Sequence, residues 1–278
     1  MGEAWSGPLR LETEAFGPEG GVPVLLVMGA TASMLGWPEA FCHGLAEAGC
    51  RTVRFDHRDT GRSSRSGRGY AAEDMASDVL AVMDAQGWDR AHLVGMSLGG
   101  YLAQMAAVDD PGRVVSLTLI ASEPLGWDGP PLPGISPAFL DHFAGFGALD
   151  WADDAAVGAF LLEIERLCAG SHAPFDAPAA RARVAAVMAR SGDVASAFVH
   201  GSIATLQDWS RAYRRIACPV LVIHGTEDPI LPVGNGRALA AGIAGARILE
   251  LAGRGHELHA GDLPALVGAI AQHVGAGA

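Results

Sequence analysis

The stretch AHLVGMSLGGYLAQ, residues 91–104, decides how the rest of the chain is read. An apolar run, AHLVGM, leads into Ser97, and a helix-like segment, LGGYLAQMAAV, follows directly. The pattern Gly95-Met96-Ser97-Leu98-Gly99 is G-x-S-x-G in the strand–turn–helix setting that a nucleophile elbow requires. A chain that turns from strand to helix within one residue brings its own backbone close together. Gly95 and Gly99 remove the side chains that would collide there. Gly100 lets the helix lie tightly on the sheet. The turn lifts the Ser97 hydroxyl above the strand end, at a helix N-terminus whose dipole favours developing negative charge.

Working outward, apolar strand-like runs recur at VPVLLVMG (22–29), RTVRFD (51–56), VVSLTLIAS (114–122), PVLVIHG (219–225) and ARILELAG (246–253). They are continuous rather than alternating, as strands buried on both faces are. Helix-like stretches separate most of them: PEAFCHGLAEAG, AAEDMASDVLAVMDAQG, GYLAQMAAVDDP and VGNGRALAAGIAG. Strand alternating with helix implies an α/β fold with a mostly parallel sheet and helices on both faces. The N-terminal stretch LRLETEAFGPEGGVPVLLV reads as an antiparallel hairpin entering that sheet. Residues 123–216 break the rhythm. They open on EPLGWDGPPLPGISP and then turn helical, with Val157, Phe160, Leu161, Ile164 and Cys168 on one helical face and further helices at 176–190 and 193–208. The division expected is a core of residues 1–122 and 217–278, with 123–216 as a helical cap inserted before the last two strands. Such an insertion at the C-terminal sheet edge overhangs the ligand crevice.

A nucleophilic serine needs a base, and the base needs an orienting group. TEDPILP places Asp228 just past one strand, and RGHELH places His256 past the last, so the chain order is Ser, Asp, His. Glu123, at the end of VVSLTLIAS, is the rival acid, and Glu227 neighbours Asp228. His259 is the rival base. The spacing His256-x-x-His259 lacks the third ligand of a zinc site, so no metal is expected. His224 reads as a packing residue at a strand end. His43, His142, His172, His200 and His273 read as surface or filler, and His57 as a residue that lines the pocket.

Composition narrows the function classes. The chain has 278 residues, 50% of them hydrophobic, and a formal net charge of −12, with arginine supplying all 19 basic residues. That balance argues against a nucleic-acid partner. No apolar run approaches the roughly 20 residues of a membrane span. The opening MGEAWSGPLR has neither a basic nor an apolar signal region. Cys42, Cys50, Cys168 and Cys218 are widely spaced, as free thiols in a reducing cytoplasm would be.

These motifs together resemble the Ser-His-Asp α/β-hydrolases over essentially the whole chain. VMGATASMLGWP (27–38) resembles the loop that usually reads HG-x, with Met28 in place of the histidine and Ala30 where glycine is frequent. FDHRDTGRS (55–63) resembles the family's D-x-R-G-x-G-x-S loop, AHLVGMSLGG is the elbow, and GTEDPILP and GRGHE carry the acid and base. Within the superfamily, VMGATASMLGWP, FDHRDTGRS and DRAHLVGMSLG are most similar to the aclacinomycin (anthracycline) methylesterases. The resemblance implies a serine esterase that needs no cofactor, with Ser97, Asp228 and His256 catalytic and the backbone N–H groups of Ala30 and Leu98 forming the oxyanion hole. Its partner would be a small, hydrophobic ester, a methyl ester of a bulky polyketide-like acid. Met28, His57, Trp127 and Phe143 are the expected pocket residues. A lactonase or cyclase, or a cofactor-free haloperoxidase, would use the same triad. A haloalkane dehalogenase or epoxide hydrolase would carry Asp where this chain has Ser97.

Overall fold

A computed structural model describes residues 1–67 and 69–275. Eight strands form one sheet: β1 (Gly2–Ser6), β2 (Leu9–Phe16), β3 (Val22–Val27), β4 (Cys50–Phe55), β5 (Ala91–Met96), β6 (Val114–Ile120), β7 (Val220–Gly225) and β8 (Arg247–Leu251). They lie in the order β1-β2-β4-β3-β5-β6-β7-β8. From β4 through β8 every neighbouring pair is parallel. The α/β fold read from the sequence is therefore the fold observed.

The N-terminal hairpin differs from the expected one. It is β1 with β2, turning at Gly7 (φ 55°), and β2 then pairs antiparallel with β4 rather than with β3. The GPEGG segment is a passage between non-adjacent strands. A glycine-rich turn between two apolar runs signals a reversal of the chain, but it does not say which strand lies alongside.

The continuous apolar runs are explained by burial on both faces. Along β3, Val24 and Leu26 face one layer and Leu25 and Val27 the other. The first layer holds α1 (Glu39–Glu47) and α8 (Leu263–Gly275), through Phe41, Leu45, Leu266 and Ile270. The second holds α2 (Ala72–Ala85), α3 (Leu98–Asp109) and α7 (Gly234–Gly242), through Met75, Val79, Leu102, Met105 and Leu239.

Between β6 and β7 the chain runs through α4 (Pro137–Ala144), α5 (Asp154–Cys168) and α6 (Ala177–Arg190). Ser136, Asp153 and Asp176 cap these helices with their side-chain oxygens. The helix expected over 193–208 is instead a 3-10 run, Ala195–Ser202. The chain leaves it in irregular form and is pinned to α2, where Glu73 Oε1 accepts from Leu206 N–H (2.8 Å), Gln207 N–H (3.0 Å) and Trp209 Nε1 (2.8 Å).

Several histidines are structural. His92 on β5 meets Ser116 Oγ on β6 at 2.7 Å, and burial pushes its pKa down to about 4. His273, read from sequence as surface or filler, is buried and donates from Nε2 to Leu117 O (3.0 Å). An unfolded chain protonates the His92 imidazole near pH 6.5, while the fold holds it neutral until about pH 4. Stability should therefore fall as pH drops through that window, by about 1.4 kcal/mol per pH unit for each such group. The urea midpoint should drop from pH 7 to pH 4.5, and His92→Gln should shallow that drop by about one group's share. Identical slopes for the two proteins would contradict this account.

Candidate active site

Every motif of interest leaves a strand at its C-terminal end: Met28–Ala30 after β3, Asp56 after β4, Ser97 after β5, Asp228 after β7 and His256 after β8. In an open parallel sheet that edge is where ligands bind.

Ser97 joins β5 to α3 with φ 52° and ψ −122°, a strained backbone that persists only where its surroundings impose it. They do. Its N–H donates to Ile120 O (2.9 Å), and its carbonyl accepts from Gly100 N–H (2.9 Å), Tyr101 N–H (3.2 Å) and Ser122 Oγ (2.9 Å). The glycines have the role their spacing suggests. A Cβ on Gly99 would stand 2.0 Å from Val27 O, and one on Gly95 would stand 2.4 Å from Gly99 O. Gly100 has a more specific purpose, since a Cβ there would meet Ser122 Oγ at 2.6 Å and displace the hydroxyl that holds the Ser97 carbonyl. Ser122 was not singled out in the sequence. Its signal would have been a small polar residue closing an apolar strand beside the elbow.

Asp228 is buried, and both its oxygens are occupied. Oδ1 accepts from Ile230 N–H and Leu231 N–H, each at 2.8 Å, and Oδ2 accepts from His256 Nδ1 at 2.7 Å. Burial opposes its charge, but His256, His224 and the Leu231 N–H outweigh burial and hold the carboxyl below the usual carboxylate range. His224 is fully buried, as its packing role implies, yet its Nε2 donates to Leu231 O (2.6 Å) and lies 3.4 Å from Asp228 Oδ2. It therefore braces the turn that presents the acid.

The rival acids and base have other partners. The Glu123 carboxylate bonds to no histidine among the described residues, and the Glu123 main-chain carbonyl accepts from Gln104 Nε2 (2.9 Å). Glu227 accepts from Ser171 N–H (2.8 Å) and Ser171 Oγ (2.7 Å). His259 caps a short 3-10 turn, accepting from Gly261 N–H at Nδ1 (3.1 Å). Ser97 Oγ makes no hydrogen bond to any described residue. The serine–histidine contact is the one such constellations tighten as substrate seats.

The segment following α5 is laced through the loops that carry the acid and base. His256 N–H donates to Cys168 O (2.8 Å), Gly170 N–H to Glu257 Oε1 (3.0 Å) and His172 N–H to Gly253 O (2.9 Å). Gly255 passes so close to Cys168 that a Cβ would lie 2.0 Å from its carbonyl oxygen. Residues 168–172 and the flanking carboxylates Glu227 and Glu257 thus fix the two loops to each other.

On the other side of Ser97, a Cβ on Gly29 would lie 3.3 Å from Ser97 Cβ, so the Met28–Ala30 turn runs against the nucleophile. Among the described residues neither Ala30 N–H nor Leu98 N–H has a protein acceptor. Met28 is buried, and its carbonyl accepts from His57 Nε2 (2.8 Å). His57 is itself fully buried, and burial pushes its pKa down to about 4. Trp127 is half-buried, with its ring 5.3 Å from that of Tyr213 and Nε1 donating to Pro130 O (2.7 Å). Phe143 belongs to a cluster of rings between β6 and β7, stacked on Phe139 at 4.9 Å and edge-on to Phe160 at 5.6 Å, and Phe146, Trp151 and Phe198 continue the cluster. Met28 and His57 are therefore buried and bonded to each other next to the Gly29 turn, while Trp127 and Phe143 belong to two separate aromatic groups. A groove of about 350 Å³ between α5 and α6 contains none of these residues.

Over residues 22–262 the sequence matches the alpha/beta hydrolase fold family. The chain belongs to that family. It is 35% identical to rhodomycin D methylesterase DnrP of Streptomyces peucetius, over 95% of each chain. It is equally similar to rhodomycin D methylesterase DauP of a Streptomyces species, again at 35% identity over 95% of each. An esterase from Rhodococcus sp. ECU1013 superposes with a TM-score of 0.83 at 23% identity, covering 99% of this chain and 98% of that one. At that identity and coverage to the two methylesterases, this member of the family is a carboxylic ester hydrolase. Among the described residues no helix is long and apolar enough to cross a membrane.

The close approach at the elbow is directly testable. Gly99→Ala should destabilise the protein by about 3 kcal/mol or more, because backbone, not a flexible side chain, meets the new methyl group. Gly192→Ala, where nothing lies within 4 Å, is the control and should leave the thermal midpoint nearly unchanged. Equal midpoints for the two variants would refute the steric account.

Proposed function

We propose that Ser97 is the nucleophile, His256 its general base and Asp228 the group that orients His256, in an enzyme that cleaves the methyl ester of a bulky, apolar acid. The observation that carries the triad is the 2.7 Å bond from His256 Nδ1 to a buried carboxylate, at the same sheet edge as the strained Ser97. A carboxylate only accepts, so Nδ1 carries the proton and Nε2 offers its lone pair to the serine. Ser97 Oγ attacks the ester carbonyl carbon while its proton passes to His256 Nε2. The tetrahedral oxyanion is held by Leu98 N–H and Ala30 N–H. His256 then protonates the departing methoxide, methanol leaves, and water, deprotonated by His256, hydrolyses the acyl-enzyme to free acid and Ser97.

Two observations support the substrate class. The two relatives described above at 35% identity are named methylesterases. The segment between β6 and β7, which we read as a cap over the site, carries the ring cluster of Phe139, Phe143, Phe146, Phe160, Phe198 and Trp151, an apolar surface suited to a large acyl group. Methanol needs little space beside His256, so burial of the acyl portion supplies most of the binding. We place the enzyme in the cytoplasm, where four unpaired thiols persist.

Ser97→Ala should fold normally and lose on the order of a million-fold in kcat. Asp228→Asn should lose about ten-thousand-fold through the wrong imidazole tautomer, and Glu123→Gln and His259→Gln far less. Substantial turnover by folded Ser97→Ala would remove the nucleophile assignment. The substrate class has its own test. Across methyl esters of increasing acyl size, kcat/KM should rise and exceed that for lactones and short-chain esters. A steady fall with acyl size, with lactones the best substrates, would replace the bulky-ester reading by a lactonase.

A further inference from the structure

The segment Met28–Gly36 carries Ala30, and its two ends are held by the neighbouring loop of the core. His57 Nε2 donates to Met28 O (2.8 Å), and Met34 N–H donates to Asp56 Oδ1 (2.8 Å). Between those ends the chain passes through Thr31 at φ 63°, a left-handed conformation that a β-branched residue rarely adopts. Something must hold it there. Thr31 N–H, the amide immediately after Ala30, donates to His200 Nδ1 at 3.1 Å.

His200 comes from the 3-10 run between β6 and β7, 169 residues further along the chain. The structure buries it, against its reading from sequence as surface or filler. Its Nε2 donates to Arg58 O (3.0 Å), and since a carbonyl only accepts, Nε2 carries the proton and Nδ1 is the acceptor. Burial foremost, and then the facing His57, push its pKa down to about 4, so it accepts from Thr31 throughout the neutral range. Arg58, Asp59, the His57 ring (5.9 Å) and the Tyr70 ring (6.3 Å) surround it. The same stretch is fixed to the core by Arg190, which pairs with Asp56 Oδ2, and by Ser196 Oγ, which donates to Asp59 O (2.8 Å).

We propose that His200 is a positioning residue of the oxyanion hole: by accepting the Thr31 N–H it fixes the turn at Thr31 and thereby aims the Ala30 N–H, so that the seating of the segment between β6 and β7 sets the reactivity of the site. This rests on the oxyanion role of Ala30 proposed above. A donor turned out of line serves the transition state less than it serves the ground state, so the effect belongs in kcat more than in KM.

The test compares His200→Asn, which keeps an acceptor near the position of Nδ1, with His200→Leu, which has nearly the same shape and no acceptor. His200→Leu should lower kcat by about ten- to a hundredfold with KM changed less than about threefold, and His200→Asn should recover most of that loss. Affinity for an alkyl boronic acid, which forms a tetrahedral adduct on serine, should fall in parallel with kcat/KM. Affinity for the carboxylic acid product should not. Equal kcat for the two variants, or an effect confined to KM, overturns the proposal. If His200→Leu does not fold, the unsubstituted enzyme decides the matter by NMR. Boronate binding should shift the Thr31 amide and the His200 ring nitrogens, and product acid should leave them in place. Unmoved resonances overturn the proposal. Failure of the underlying reading looks different, because boronate would then leave the Ala30 amide resonance in place, or bind Ser97→Ala as tightly as the unsubstituted enzyme.

Discussion

The contact on which the site depends is between two stretches of backbone, where α3 begins against the end of β3. Val27 O occupies the space a side chain on Gly99 would need, and Gly99 O occupies the space a side chain on Gly95 would need. That approach forces Ser97 into its strained turn and aligns the first amide of α3 with the Met28–Ala30 turn. Strain of this kind costs on the order of 1–3 kcal/mol and is tolerated because the sheet around it over-determines the geometry. Ser97 is therefore held through its backbone while its hydroxyl has no hydrogen-bond partner among the described residues, an arrangement suited to the role proposed for it.

The same economy extends to the chain between β6 and β7, which touches both halves of the site at different points. Residues 168–172 lie against the loops of Asp228 and His256, through Cys168 O, Ser171 and the carboxylates of Glu227 and Glu257. Residues 190–200 lie against the loops of Asp56 and Thr31, through Arg190, Ser196 and His200. The loops of Asp228 and His256 and the loop of Ala30 and Thr31 are thus each fastened to a different part of one segment. Its aromatic core, built on Phe143, Phe160 and Phe198, joins the two parts.

How much of this was legible in the sequence follows from the range of the interactions concerned. The elbow was legible because Gly95, Ser97 and Gly99 meet one another within a single turn. The parallel sheet was legible because burial on both faces leaves a continuous apolar run such as VPVLLV. The meeting of Asp228 with His256 was legible from their placement after strands. The pairing of β2 with β4 was not, because the hairpin signal is local and the choice of neighbour is not. Helix α8 was passed over although LPALVGAIAQHV is strongly apolar, since only its packing on α1 gives that run a face. Cys168 O, Ser171 and His200 were illegible for a further reason. Their partners lie between 56 and 169 residues away, and all three contacts use backbone atoms that no side-chain pattern records.

The histidines show how one side chain is given opposite roles by the kind of acceptor it meets. His57, His200, His224 and His273 each donate from Nε2 to a backbone carbonyl, of Met28, Arg58, Leu231 and Leu117 respectively. A carbonyl cannot donate in return, so each of these rings carries a proton on Nε2 and serves as a brace. His256 is turned the other way. Its Nδ1 meets the Asp228 carboxylate, which fixes the proton on Nδ1 and leaves the Nε2 lone pair with no hydrogen bond to any described residue. The carboxylate also stabilises the imidazolium that forms when that lone pair takes a proton, which a carbonyl partner does far less. Among ten histidines, the capacity to act as a base therefore depends less on being a histidine near a strand end than on which atom the buried acid reaches.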